Sequence, residues 1–170
     1  SYGWLSEESE DTAARLTRDK VFIIDPIDGT RSYAEGASTW AHSFAVSEGG
    51  QITAAVVYLP MRKKLYSAAL GKGAWLNGEP LRVSAQPNLS NATVLATKVN
   101  MEPRFWPNGV PVIDRQHRPS LAYRLALVAS GKFDAMYTFR PSWEWDIAAG
   151  ALIVSEAGGI ITDQIGGPLV

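Results

Sequence analysis

The chain has 170 residues, 46% of them apolar, with 16 basic and 17 acidic side chains and no cysteine. That apolar mass excludes a disordered chain, the balanced charge leaves no basic surface for a nucleic-acid polymer, and the missing cysteines exclude a disulfide framework, thiolate zinc sites and cysteine nucleophiles. No apolar stretch approaches the roughly 18 residues of a membrane span and the first residues do not form a signal peptide, so a single cytoplasmic domain over 1–170 is expected.

In chain order, residues 2–5 predict a short strand running into Glu7, Glu8, Glu10 and Asp11, and 12–18 a short helix. Val21-Phe22-Ile23-Ile24 is a continuous β-rich run, expected to be a strand buried on both faces that stops at Asp25. Residues 41–47 and 52–59 read as strands joined by a hairpin at Gly49-Gly50, a pair suited to a tight turn. A strand follows at 64–69, then a second hairpin of 74–76 and 80–83 around Asn77-Gly78, then a strand at 93–98. Pro103, Pro107, Pro111 and Pro119 break any periodicity between 100 and 119, where a long loop with a helical turn is expected. Residues 120–130 place Leu121, Leu125 and Val128 on one helix face, closed by Gly131. A strand at 133–139, a helix at 146–156 stopped by Gly158-Gly159, and a last strand at 160–162 complete the series. Strands outnumber helices and interleave with them, which predicts a layered α/β (α+β) domain.

The segment Asp25-Pro26-Ile27-Asp28-Gly29-Thr30 ends a buried strand, where sites of layered α/β proteins form. It offers two hard oxygen ligands, suited to Mg²⁺, Mn²⁺ or Ca²⁺. Gly29 permits close backbone approach, and Thr30 supplies a hydroxyl and a helix start whose N–H groups favour phosphate. The bland alternative is a turn with a helix cap. Asp146, opening an apolar helix, is likewise either an N-cap or a ligand, and the Glu7-Glu8 run is either a third acidic group or a solvated face. Phosphatases that form an aspartyl-phosphate carry their two Asp at i and i+2. Here the spacing is i, i+3 with Pro26 between, which favours attack by metal-activated water over a covalent phospho-enzyme.

Three signatures in order resemble the inositol monophosphatase superfamily. They are D-P-I-D-G-T (25–30), W-D-x-A-A-G with a downstream E-A-G-G (145–150 and 156–159), and the S-E-E-S segment of residues 6–9. Gly71-Lys72-Gly73-Ala74-Trp75-Leu76-Asn77-Gly78 is similar to the family as well. The resemblance implies a layered αβαβα fold and Mg²⁺-dependent, Li⁺-sensitive hydrolysis of a small-molecule phosphate monoester, with two or three Mg²⁺ ions per site and a homodimer as the assembly to expect. It makes Glu7, Asp25, Asp28, Asp146 and the Ile27 carbonyl metal ligands. It makes Glu7, Asp28 and Thr30 catalytic, Glu7 and Thr30 orienting and deprotonating the water. Asp28, Gly29, Thr30, Ser120, Arg124 and Arg140 become substrate-binding residues. Family members carry helices before the first Glu motif and a strand and helix after the last glycines. Neither is found here, so the chain reads as truncated at both ends, with apolar surface exposed. An inactive metal- or phosphate-binding remnant is the alternative.

For the substrate, the Glu that recognises sugar hydroxyls in inositol-specific members is missing from Tyr137-Thr138-Phe139-Arg140-Pro141. The 120–129 segment is similar to the 3′(2′),5′-bisphosphate nucleotidase branch. Arg124 and Arg140 suit a second phosphate, with Trp143 covering a base or sugar. Inositol monophosphate or another polyol phosphate is the alternative. His42 is read as a structural histidine.

Overall fold

The period-two segments pair as their turn chemistry directs. In a computed structural model describing residues 1–169, β1 (Gly3–Ser6), β2 (Lys20–Asp28), β3 (Ala41–Glu48), β4 (Gln51–Leu59), β5 (Lys64–Ala69), β6 (Ala74–Leu76) and β7 (Glu79–Pro80) form one seven-stranded sheet in chain order. Only β1 and β2 run parallel; from β2 to β7 every neighbour is antiparallel. A short helix α1 (Thr30–Ala34) follows β2. Strands β8 (Thr93–Leu95) and β9 (Asp114–Gln116), helix α2 (Leu121–Ala129) and strand β10 (Ala135–Met136) come next, and β10-β8-β9 make a small parallel sheet. Helix α3 (Glu144–Glu156) closes the series. The result is a mixed α+β architecture, as the interleaving predicts.

One face of the large sheet is lined by small residues. Ala45, Ala55, Ala68 and Ala74 are all buried there beside Leu5, Ile23, Val57 and Tyr66. Short side chains let α3 lie close to the sheet, with Ala149, Leu152 and Ile153 joining the same core as Ala122, Leu125 and Ala126 of α2. The two helices meet at Gly150, where an added Cβ would stand 2.6 Å from the Leu125 Cβ. Helix propensity alone would reward alanine here by about 1 kcal/mol. The overlap involves an atom fixed to the α2 backbone, so Gly150→Ala is expected to destabilise the fold by ~2 kcal/mol, seen as a lower urea midpoint with an unchanged slope. Glu156, at the end of α3, ties the helix to the sheet by accepting the N–H groups of Gly71 and Gly73 at 2.8 and 2.7 Å.

The other face carries Trp4, Phe44, Leu65 and Trp75, all exposed, and Tyr2 stacks on Phe22. The expected exposed apolar surface is therefore present. It corrects the reading of 21–24 as buried on both faces: Ile23 and Ile24 are buried while Val21 and Phe22 are only half-buried.

Other boundaries shift for physical reasons. β2 does not stop at Asp25 but continues to Asp28 through a bulge. The 12–18 helix is a single 3₁₀ segment, Ala13–Thr17, with no buried residue to anchor more. The 80–83 strand reduces to Glu79–Pro80 and the 93–98 strand to Thr93–Leu95. The 100–119 loop holds two 3₁₀ turns and also β9. In 133–139 only Ala135–Met136 is strand; the Asp134 and Tyr137 N–H groups still donate to the Thr93 and Leu95 carbonyls, and the Tyr137 and Phe139 rings pack on Trp106. Residues 160–162 form no strand, and Ile160 is exposed. α2 is apolar on more than the expected face, with Ala122, Tyr123, Ala126 and Leu127 also buried. α3 begins at Glu144, two residues before the expected start.

Candidate active site

Pro26 has no N–H for the ladder, and the register beside it slips: Asp25 faces Ser43 while Asp28 faces Ala41. One extra residue is thus accommodated between the two aspartates, a bulge that re-aims side chains. Ile27 N–H donates to Asp25 Oδ1 at 2.9 Å, and the Thr30 hydroxyl donates to the Ile27 carbonyl at 3.0 Å. Gly29, at φ 92°, turns the chain into α1, a conformation that costs other residues strain.

Asp28 is buried, and its Oδ2 accepts the Ser120 hydroxyl at 2.7 Å and the Ala122 N–H at 2.6 Å. Ser120 is itself buried at the start of α2, where its oxygen also accepts the Tyr123 N–H. Its hydroxyl therefore orients Asp28. Asp146 sits in the first turn of α3 and caps it, its Oδ2 accepting the Trp143 N–H at 2.9 Å. The two readings of this residue are compatible, because carboxylate oxygens of Asp25, Asp28 and Asp146 all lie within 4.8 Å of one another. Ser43, opposite Asp25, braces the junction by donating to the Trp145 carbonyl at 3.1 Å.

All ten residues singled out from the sequence line one cavity of about 350 Å³. Glu7 is exposed at its edge, outside the three-carboxylate cluster, yet near enough for its charge to act on Asp25. Arg124 is half-buried and donates to the Arg118 carbonyl at 2.7 Å, while Arg140 is exposed on the rim. Trp143, also lining the cavity, is 63% exposed and stacks on Trp145 at 5.0 Å. Sequence reasoning assigned no site role to Ser43 or Trp145; only non-local contact brings them here.

The electrostatics follow from burial. Desolvation, then the charges of Asp28 and Glu7, push the Asp25 carboxyl up to about 8. Burial raises Asp28 as well, against the bonds from Ser120 and Ala122. Among the described residues none of the three clustered aspartates forms a salt bridge. Buried carboxylates outside any ion pair are costly, and an all-oxygen donor set at this separation fits a hard divalent cation.

The sequence profile described as "Inositol monophosphatase family" matches residues 2–170. The chain belongs to that family. This family member is 39% identical, over 98% of its length and 65% of the relative's, to the inositol-1-monophosphatase of Rhizobium meliloti. It is 38% identical, over 96% of its length and 63% of the relative's, to the Nus factor SuhB of Escherichia coli K12. Among solved structures, inositol monophosphatase-II from Staphylococcus aureus superimposes with a TM-score of 0.88 at 26% identity, over 99% of this chain and 67% of that one. Structures of SaIMPase-II with inositol monophosphate and with 2′AMP match at TM-scores of 0.87 and 0.86, each at 26% identity over 99% of this chain, and over 67% and 66% of those chains. The chain thus spans just under two thirds of the length of these two curated relatives.

Proposed function

We propose that this chain carries the acidic centre of a divalent-cation-dependent phosphomonoester hydrolase that uses water as its nucleophile. The observation behind this reading is the convergence of Asp25, Asp28 and Asp146 within 4.8 Å. Mg²⁺ held by these carboxylates, with Glu7 and the Ile27 carbonyl beside them, would screen the charge of the ester and ease deprotonation of water. Glu7, exposed at the cavity edge, is placed to accept a proton from that water. Thr30 fixes the Ile27 carbonyl through its hydroxyl, and Ser120 with the Ala122 N–H keeps Asp28 aimed. Gly29 lines the same cavity, and its missing side chain lets Ser120 and the Thr39 carbonyl pack close to its backbone.

For the substrate we favour a bisphosphorylated nucleoside. Arg124 and Arg140 share the cavity: burial lowers the Arg124 pKa, the charge of Asp28 opposes this, and repulsion from Arg140 adds a smaller lowering. Two guanidiniums facing a carboxylate cluster suit a molecule with one phosphate to cleave and another to hold. Exposed Trp143 offers a stacking surface for a base. A structural relative solved with 2′AMP bound is consistent with this class. The second reading, an inositol or polyol monophosphate, is favoured by the relative named inositol-1-monophosphatase.

Phosphate release from 3′-phosphoadenosine 5′-phosphate and from inositol monophosphate, in Mg²⁺ and in chelator, tests both levels. Release only with Mg²⁺ supports the phosphatase; none from either ester favours the inactive remnant. Arg140→Ala is expected to raise KM for the nucleotide by roughly tenfold, the worth of one charge-assisted contact, and to leave the polyol phosphate unchanged. Equal effects on the two, or faster turnover of the polyol, would reject the nucleotide.

A further inference from the structure

The loop that carries Asp25 and Asp28 is held from outside the cavity by a histidine to which the mechanism gives no role. His42 lies on β3 at the position where the register slips, between Ser43 opposite Asp25 and Ala41 opposite Asp28. Its Nδ1 is bonded to the Pro26 carbonyl. A carbonyl only accepts, so Nδ1 carries the proton, in the neutral or the charged ring alike.

The ring is fixed on three sides. Trp40 meets it edge-on at 5.3 Å, Phe44 lies at 6.1 Å, and Tyr58, its cross-strand partner on β4, stacks on it at 6.2 Å. Such packing sets the direction of the Nδ1–H. A bulge around a proline lacks one of the bonds that would fix an ordinary ladder, and this side chain replaces it. Asp25 and Asp28 flank the residue so gripped, one carboxylate on each side of the anchored peptide. The neighbouring Ser43 reaches the Trp145 carbonyl, next to Asp146. Adjacent residues of one strand thus hold both pieces of backbone that bring the three carboxylates together.

We propose that His42 is a positioning residue of the metal centre: by gripping the Pro26 carbonyl it sets the separation of the Asp25 and Asp28 carboxylates for a divalent cation. It touches neither substrate nor the reacting atoms and acts through the Pro26 peptide. This inference rests on the metal-binding reading above and adds a residue to it.

The test measures Mn²⁺ binding by paramagnetic resonance, without any turnover, on the whole chain. His42→Asn keeps an N–H at the place of Nδ1 and is expected to bind Mn²⁺ as the parent does. His42→Leu fills the space without a donor and is expected to bind roughly tenfold more weakly, the usual effect of losing an outer partner of a metal ligand. His42→Gln, whose amide cannot occupy the Nδ1 position, is expected to fall with leucine and serves if the leucine variant does not fold. Leucine and glutamine variants binding as tightly as the parent would overturn the proposal. So would an asparagine variant as weak as leucine, since ring packing rather than the bond would then matter. A parent that binds no Mn²⁺ would overturn the metal reading itself, independently of any variant.

Discussion

Asp28→Asn is expected to abolish Mg²⁺-dependent phosphate release while leaving the chain at least as stable as the parent in chelator. The two outcomes come from the same geometry. Oδ2 of Asp28 is already occupied by the Ser120 hydroxyl and the Ala122 N–H, and an asparagine oxygen can accept both. The amide then takes the other position, beside Asp25 and Asp146, where it removes a charge that acts on both neighbours. A buried carboxylate whose pKa is raised by burial gives up an unfavourable charge on becoming neutral, so the fold has nothing to lose. The chemistry does lose. The amide nitrogen has no lone pair for a cation, and the electrostatic support of a bound dication is worth several kcal/mol at the transition state, which corresponds to about a thousandfold in rate. Phosphate release and thermal unfolding on the same preparation decide the matter. A variant that hydrolyses within tenfold of the parent, on the same rate scale, shows that this carboxylate is not a catalytic ligand. A variant that is merely unfolded shows that it is a structural cap.

The distinction between cap and ligand marks the limit of sequence reading. The strands β3 to β5 and the turns at Gly49-Gly50 and Asn77-Gly78 were legible because alternation and turn chemistry are local, whereas the continuous apolar run of β2 hid both its bulge and its end at Asp28. The stretch 133–139 has the same alternation, yet only two residues are strand, because its neighbour β8 is itself only Thr93–Leu95 and a periodic pattern does not report the length of the partner strand. β9 was invisible for the converse reason: Asp114, Arg115 and Gln116 have no apolar pattern and pair because Thr93–Leu95 lies beside them. The acidic site was legible as three short signatures, each with a bland alternative. What holds it was not. Ser43 meets Trp145 across 102 positions, Ser120 meets Asp28 across 92, and His42 meets Pro26 across 16. No window along the chain contains both partners, so a serine and a histidine on a strand looked like ordinary strand residues.

The second large effect is on stability as a function of pH and cation. In chelator, the folded chain holds a proton on Asp25 up to about pH 8, whereas an ordinary exposed Asp releases it near 3.8. Between 3.8 and about 8 the folded state binds more protons than the unfolded one, so stability falls as pH rises, by up to about 1.4 kcal/mol per unit for one group. Asp28, raised by burial, acts in the same direction. His117 acts in the opposite direction: burial, then Arg124, lowers its pKa below 6.5, so it adds stability as pH rises towards that value. The decisive interval is therefore roughly pH 7 to 8, above the histidine and still within the reach of Asp25. Cation binding requires deprotonated carboxylates, so Mg²⁺ or Mn²⁺ should stabilise little at low pH and most at pH 8. Urea unfolding across this interval, with chelator and with cation, is expected to show two curves that diverge with pH. Asp25→Asn is expected to flatten the chelator curve and close the gap. A parent that gains stability in chelator from pH 7 to 8, or a variant that keeps the parental slope, would mean that Asp25 is already charged in the folded chain below pH 8 and does not hold the proton that burial and its acidic neighbours assign to it.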